Sequence, residues 1–266
     1  MYYDAIIEPD DLPEGAVIVD CRFSLQAEDA GLQQYRDGHI PGAVYLHLNR
    51  DLSGPTGDHG GRHPLPDPGV FAATLAERGI GPESDVVAYD DSRFAFASRL
   101  WWMMRSLGYK PPRLINGGYQ AWLTLGISPE AGSTSVIGCA APAGVCFSGY
   151  RNHAEVIDAL GGNARLVDSR EPMRYAGLEE PIDPVAGHIP GAINLPWQGI
   201  TDEGGRVLSP DQLTAHFDEI FHDESVVVYC GSGVTACVNL LGLSLLGRDD
   251  PELYPGSWSD WCSYLD

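Results

Sequence analysis

Short, apolar, β-branched runs alternate with longer stretches of helical periodicity along this chain, and they do so in two rounds. The runs Val17-Ile18-Val19 and Val86-Val87-Ala88-Tyr89 in the first round, and Leu166-Val167 and Val226-Val227-Val228-Tyr229 in the second, are continuously hydrophobic. That is the pattern of strands buried on both faces of a parallel sheet. Each round then opens a helix on a capping residue followed by proline, Asp67-Pro68 or Ser209-Pro210, and Gln212 completes a capping box in the second. A second, almost wholly apolar helix follows each valine-rich strand: Phe94 to Leu107 closed by Gly108, and Val234 to Leu246 closed by Gly247. Another helix is expected from Asn152, capped with Glu155, to the Gly161-Gly162 pair.

The two rounds are copies of one unit. Val19-Asp20-Cys21-Arg22 precedes Gly38-His39-Ile40-Pro41-Gly42-Ala43, and Val167-Asp168-Ser169-Arg170 precedes Gly187-His188-Ile189-Pro190-Gly191-Ala192. The step from Asp to His is 19 residues in the first (20 to 39) and 20 in the second (168 to 188). Strands alternating with helices predict an α/β class, with two similar domains in tandem, each a mostly parallel sheet flanked by helices on both faces. The domains are expected at residues 1–128 and 150–266, joined by the Ala-, Gly-, Ser- and Pro-rich linker 129–149. His39 and His188 occupy the same place in both copies, which assigns them to the framework. Tyr119, Trp122, Trp258 and Trp261 read as core aromatics, and Trp101 and Trp102 as helix residues.

Charge narrows the partners. Sixteen basic against 37 acidic residues leave a formal charge of −21, which argues against nucleic acid and anionic membranes. An anionic substrate must then be drawn by a local positive site. The N-terminus shows no basic and apolar leader pattern, no apolar run reaches the length of a membrane span, and the six cysteines suggest reduced thiols, so a cytoplasmic setting is expected. No Cys-x-x-Cys spacing is present, and neither a metal nor a cofactor is expected.

The chemistry concentrates at Cys230-Gly231-Ser232-Gly233-Val234-Thr235-Ala236, between a buried strand and a helix N-terminus. Unpaired N–H groups and the helix dipole favour negative charge there, and the glycines let the backbone fold into a cradle. A thiol so placed loses its proton readily, which makes Cys230 the candidate nucleophile. Cys237, mid-helix and without flanking glycines, reads as structural. Aligning Tyr89 with Tyr229 sets Asp90 opposite Cys230, so only one copy carries the thiol. The first copy also has an additional polar loop, Asn49 to Pro66, containing Asp51, Asp58, His59, Arg62 and His63.

The paired Asp-x-Arg and Gly-His-Ile-Pro-Gly-Ala motifs, the cysteine-centred loop and the Trp-x-x-Trp ending resemble the tandem rhodanese sulfurtransferases over almost the whole chain. The Cys-Gly-Ser-Gly-Val-Thr-Ala loop is similar to that of the 3-mercaptopyruvate enzymes rather than the thiosulfate enzymes, whose loop carries basic residues. The resemblance implies a Cys230 persulfide that takes sulfur from a small anionic donor and yields it to a thiol such as thioredoxin or glutathione, or to cyanide. It further implies that Ser232 orients the donor or relays a proton, that His63 comes from the first domain, and that Arg174 contacts the donor anion. Gly231, Gly233, Val234 and Thr235 would supply the loop around the donor, with Arg170 beside them, paired to a buried acid. Two positions depart from the pattern: the family's further arginine, about nine residues beyond Arg174, falls in Leu178–Pro184, which has none, and the acid ahead of the histidine is Asn49, with Asp51 close by. Thiosulfate as donor, and a non-catalytic sulfur carrier or sensor, are the alternatives. A Cys-x5-Arg phosphatase is disfavoured because Ala236 stands where its phosphate-gripping arginine would be.

Overall fold

A computed structural model describes residues 4–265. Among the described residues nine strands form two sheets, every pairing within them parallel. The first contains β1 (Ile6–Ile7), β2 (Val17–Asp20), β3 (Val44–Tyr45), β4 (Val86–Tyr89) and β5 (Arg113–Ile115) in the order β1-β5-β4-β2-β3. The second contains β6 (Arg165–Asp168), β7 (Ile193–Asn194), β8 (Val226–Tyr229) and β9 (Glu252–Leu253) in the order β7-β6-β8-β9. Tyr150 bridges to Leu253 in parallel, at the edge where the first sheet has β1.

Helices α1 (Ala30–Asp37), α2 (Pro68–Glu77), α3 (Ala97–Ser106) and α4 (Gly118–Leu123) belong to the first unit. Helices α5 (His153–Leu160), α6 (Pro172–Tyr175), α7 (Pro210–Phe217), α8 (Ala236–Leu245) and α9 (Ser257–Trp261) belong to the second. The caps expected from sequence are present: Asp67 accepts from the N–H groups of Gly69 and Val70, and both Asn152–Glu155 and Ser209–Gln212 close capping boxes. The two apolar helices begin later than their hydrophobicity suggests, at Ala97 rather than Phe94 and at Ala236 rather than Val234. The residues in between are apolar because they are buried, but their backbone serves a loop.

The Asp-x-Arg motif is a brace used twice. Asp20 receives Arg22 Nη2 at 2.6 Å, and the same nitrogen reaches the Gly38 carbonyl at 2.7 Å. Asp168, Arg170 and Gly187 repeat this at 2.6 and 2.6 Å. The brace ties the carboxyl end of β2 or β6 to the Gly-His-Ile-Pro-Gly turn. In each turn the histidine sits against its own framework: His39 stacks on Tyr35 and meets its carbonyl at 2.7 Å, and His188 does the same with Tyr175 at 2.8 Å.

The two units are not beads on a string. Helices α3 and α8 pack on each other, and one buried apolar cluster runs through both domains, including Trp101, Trp102, Leu240 and Leu241. The cleft between the carboxyl ends of the two sheets therefore has walls fixed by a common core. We expect Leu241→Ala to cost about 2–5 kcal/mol. Urea unfolding followed by fluorescence and by far-ultraviolet circular dichroism should still give one coincident transition. Two separated transitions would show that the domains do not share their stability.

Candidate active site

Strand β8 is Val-Val-Val-Tyr, buried throughout, and it delivers Cys230 to the cleft as the first residue beyond its end. The backbone then turns over residues 231–235 before α8 starts. Gly233 makes the turn with φ +73°, and a side chain there would lie 2.3 Å from the Pro255 carbonyl oxygen, so only glycine fits. The Cys230 N–H donates to Ser257 Oγ at 3.1 Å, and its carbonyl accepts the Trp258 N–H at 3.0 Å. Among the described residues, no protein acceptor engages the backbone N–H groups of residues 231–236. Six consecutive N–H groups ahead of the helix are thus without a protein acceptor, the kind of backbone segment that accommodates an anion.

The first domain shows what such a loop holds. Asp90, the counterpart of Cys230, is buried, and its carboxylate accepts the N–H groups of Ser92, Phe94, Phe96 and Ala97 at 2.8, 3.1, 2.9 and 2.9 Å. Burial pushes the pKa of this carboxyl up. Four donors and no acceptor nevertheless describe the ionised form. Arg93, the counterpart of Gly233, takes the same left-handed turn with φ 58°. The counterparts of those four donors are Ser232, Val234, Ala236 and Cys237, and only the last already has a protein acceptor, the Val234 carbonyl.

Cys230, Gly231, Ser232, Val234 and Thr235 line a cleft of about 370 Å³ together with Arg62, Arg170 and Arg174. The three guanidiniums differ in how they are held. Arg170 gives Nε and Nη2 to Asp168, a further Nη2 bond to Gly187 and Nη1 to Glu180 at 3.2 Å, and lies 5.0 Å over the Trp258 ring. It shapes the wall as Arg22 does in the other copy, and its donors are committed to the protein. Arg174, from the short helix α6, holds Glu180 at 2.7 Å and Asp183 at 3.2 Å. Arg62 pairs with the other oxygen of Asp183.

Arg62 arrives from the first-domain loop, which is pinned to the second domain residue by residue. Gly60 N–H donates to Asp260 at 2.6 Å, Arg62 N–H to Ser259 Oγ at 3.1 Å, and His59 stacks on Tyr264 with ring centroids 3.9 Å apart. His63 follows, with Nδ1 2.7 Å from Ser232 Oγ. Burial first, then the charges of Arg99 and Arg62, pull the His63 pKa down from 6.5 to about 3, so the imidazole is neutral at physiological pH. Asp51 is spent on the His47 N–H at 2.7 Å and faces Arg78, so it is not an orienting partner for His63.

Three residues of this site were not singled out by sequence reasoning. Arg62 was visible only as one polar residue in a long loop. Ser257 sits in a left-handed turn at φ 57° and supports the cysteine N–H. Arg99, fully buried in α3, donates to the carbonyls of Gly233 at 2.9 Å and His63 at 3.1 Å, so one guanidinium ties the cysteine loop to the first-domain loop. Its apolar helix surroundings gave no signal for this.

A model of the rhodanese-like domain matches the chain twice, over residues 5–125 and 152–264. A probable 3-mercaptopyruvate sulfurtransferase of Pseudomonas aeruginosa is 42% identical over 257 residues, covering 92% of this chain and 88% of that protein. A putative thiosulfate sulfurtransferase of Mycobacterium tuberculosis is 39% identical over 255 residues, covering 92% and 87%. Among solved structures, the 3-mercaptopyruvate sulfurtransferase of Leishmania major superposes with a TM-score of 0.86 at 33% identity, covering 98% of this chain and 75% of that one.

The depressed His63 pKa makes a stability prediction with a definite sign. Between pH 6.5 and about 3 the unfolded chain binds a proton at this histidine that the folded chain does not, so its contribution is present above that window and is lost as pH falls through it. His63→Gln should therefore lose less stability than wild type between pH 7.5 and 4.5, measured by urea unfolding at each pH. Equal losses would mean that His63 is protonated in the folded state.

Proposed function

The chain belongs to the rhodanese-like family, and on that premise we propose that it moves sulfane sulfur from 3-mercaptopyruvate to a thiophilic acceptor through a persulfide on Cys230. The observation that carries this reading is the cradle of unengaged N–H groups following Cys230, in the place where the sister domain closes the same loop on the Asp90 carboxylate. A loop built to hold one negative charge favours the thiolate before transfer and the persulfide anion after it.

In the first half-reaction the Cys230 thiolate attacks the donor sulfur. The donor's carbon–sulfur bond breaks, its electron pair remains on carbon as the pyruvate enolate, and a proton completes pyruvate. Ser232, hydrogen-bonded to a neutral His63, is placed to relay that proton in exchange with water. Arg174, lining the cleft beside Cys230, anchors the donor carboxylate. In the second half-reaction a thiol such as thioredoxin or glutathione, or cyanide, attacks the terminal sulfur, the S–S bond breaks, and the Cys230 thiolate is restored.

The name of the Mycobacterium tuberculosis relative gives thiosulfate a specific claim as the alternative donor; the same attack would then expel sulfite. Initial rates with the two donors in parallel, with mass spectrometry of Cys230 after donor alone, decide between them. We expect mercaptopyruvate to be preferred, sulfur to be found on Cys230, and Cys230→Ser to remove both transfer and the added mass. A preference for thiosulfate would replace the donor, and sulfur on Cys230 without turnover would make the protein a carrier.

Arg174→Ala should raise the donor KM roughly ten- to a hundredfold, the range for losing a charge-assisted hydrogen bond. An unchanged KM would confine Arg174 to its ion pairs with Glu180 and Asp183.

A further inference from the structure

Beside the cleft that holds Cys230 lies a larger cavity, of about 870 Å³, with a wall in common: Phe23, Ser24, Leu25, Gln26, Arg62 and Ile182 face both spaces. The hydrogen bond between His63 and Ser232 spans the partition. Ser232 lines the cleft and His63 lines the larger cavity, with Nδ1 and Oγ 2.7 Å apart. Among the described residues none hydrogen-bonds to the other ring nitrogen, Nε2, and it is not sealed from solvent. Away from the shared wall the cavity is bounded by Asn49, Pro55 and Thr56 of the first-domain loop and by Pro181. Its surface is apolar or neutral and hydrogen-bonding; only Glu28 and Arg62 carry charge, and Arg62 is paired with Asp183. On the shared wall Leu25 is 59% exposed and Ile182 44%, apolar surface that a ligand lying across it would cover. The volume is in the range of cavities that enclose small molecules.

From this arrangement we infer that the larger cavity is an acceptor subsite: it takes the body of a small uncharged thiol, of amide or hydroxyl character, whose sulfur reaches over the shared wall to Cys230. The inference rests on the Cys230 persulfide proposed above. The acceptor, as its thiolate, attacks the terminal sulfur of Cys230–S–SH. The S–S bond breaks, its electron pair returns to Cys230, and the acceptor leaves as a persulfide. The proton shed by the thiol is the one the terminal sulfur takes up, and the Ser232–His63 pair joins the two spaces between which it passes. An anionic thiol is disfavoured here. The only cation among the lining residues is already balanced by Asp183, so a carboxylate would be desolvated beside neutral groups and Glu28.

Discharge of a preloaded enzyme tests this without assuming a donor. Inorganic polysulfide loads Cys230, whose thiolate takes one sulfur and releases the shortened chain. Excess is removed, thiol is added, and loss of the extra mass is followed by mass spectrometry. N-acetylcysteine amide and N-acetylcysteine serve as acceptors, since they differ only by an amide against a carboxylate. We expect discharge to saturate with the amide, and the amide to be favoured about tenfold beyond the ratio the two thiols show towards a free persulfide. Thr56→Trp and Pro181→Trp, exposed positions at the cavity rim, should raise the half-saturating concentration about tenfold. Loading by polysulfide, which uses the cleft alone, should stay within about twofold of wild type.

Discharge that is linear in the amide and unchanged in both variants would overturn the inference. Should the variants fail to fold, wild type decides. The S-methyl derivative of the amide cannot accept sulfur, so it must compete with the amide, and an unslowed discharge overturns the inference equally. No sulfur on Cys230 after polysulfide would remove the persulfide reading itself, whereas sulfur taken up and then discharged without saturation removes the acceptor subsite alone.

Discussion

The structure turns on an anion held by backbone N–H groups at the carboxyl end of a central parallel strand. In the first domain the chain supplies the anion itself, as Asp90 with four N–H donors. In the second, the same loop ends its strand on Cys230 and leaves its donors unengaged. The other features of the loop follow from this. The strand must be continuously apolar to end inside the protein, and the backbone must pass through a left-handed turn, at Arg93 and Phe94 in one loop and at Gly233 in the other. The following helix must begin late, because donors spent on the i→i−4 ladder cannot face an anion. A duplicated fold thus contains both a filled and an open version of one site.

The filled copy has become the wall of the open one. Its helix α3 packs against α8, and its loop over residues 49–66 is fastened to α9 and the residues just beyond by hydrogen bonds and a ring stack. Arg99 is the most telling link. A buried guanidinium without a carboxylate partner is expensive, and its hydrogen bonds go to main-chain carbonyls of the cysteine loop and of both ends of the crossing loop. Burial weakens its hold on its proton, and the nearby Cys237 and Cys230 act in the opposite sense. Burial drives the Cys237 thiol up to about 12, which keeps it protonated.

Much of this was legible in sequence, because the signals are local. Val226–Tyr229 could only be a buried strand, Ser209 and Asn152 announced their helices by capping chemistry, and the repeat exposed the Asp90–Cys230 contrast. That His63 comes from the first domain towards the cysteine was implied by family resemblance alone, and the structure sets its Nδ1 within hydrogen-bonding distance of Ser232 Oγ. What sequence did not reveal depends on contacts between segments well separated along the chain, from 27 residues for Ser257 and Cys230 to 134 for Arg99 and Gly233. Arg62 and Asp183 are 121 positions apart, and nothing local marks them as a pair. Arg170 shows the converse: a cation beside the cleft in sequence and in space, yet with its donors taken up by Asp168, Gly187 and Glu180.

Charge at the cleft completes the picture. Arg62, Arg99, Arg170 and Arg174 stand against Asp168, Glu171, Glu180 and Asp183, a formally balanced set inside a protein of charge −21. Such a site does not draw anions from a distance, since its own charges cancel and any field reaching solvent is screened within about 8–10 Å. Its selectivity has to act at contact, through the N–H groups of the cysteine loop and the guanidiniums beside it. An anion recognised only at contact must also be small, because the cleft offers about 370 Å³ in which to meet both groups at once.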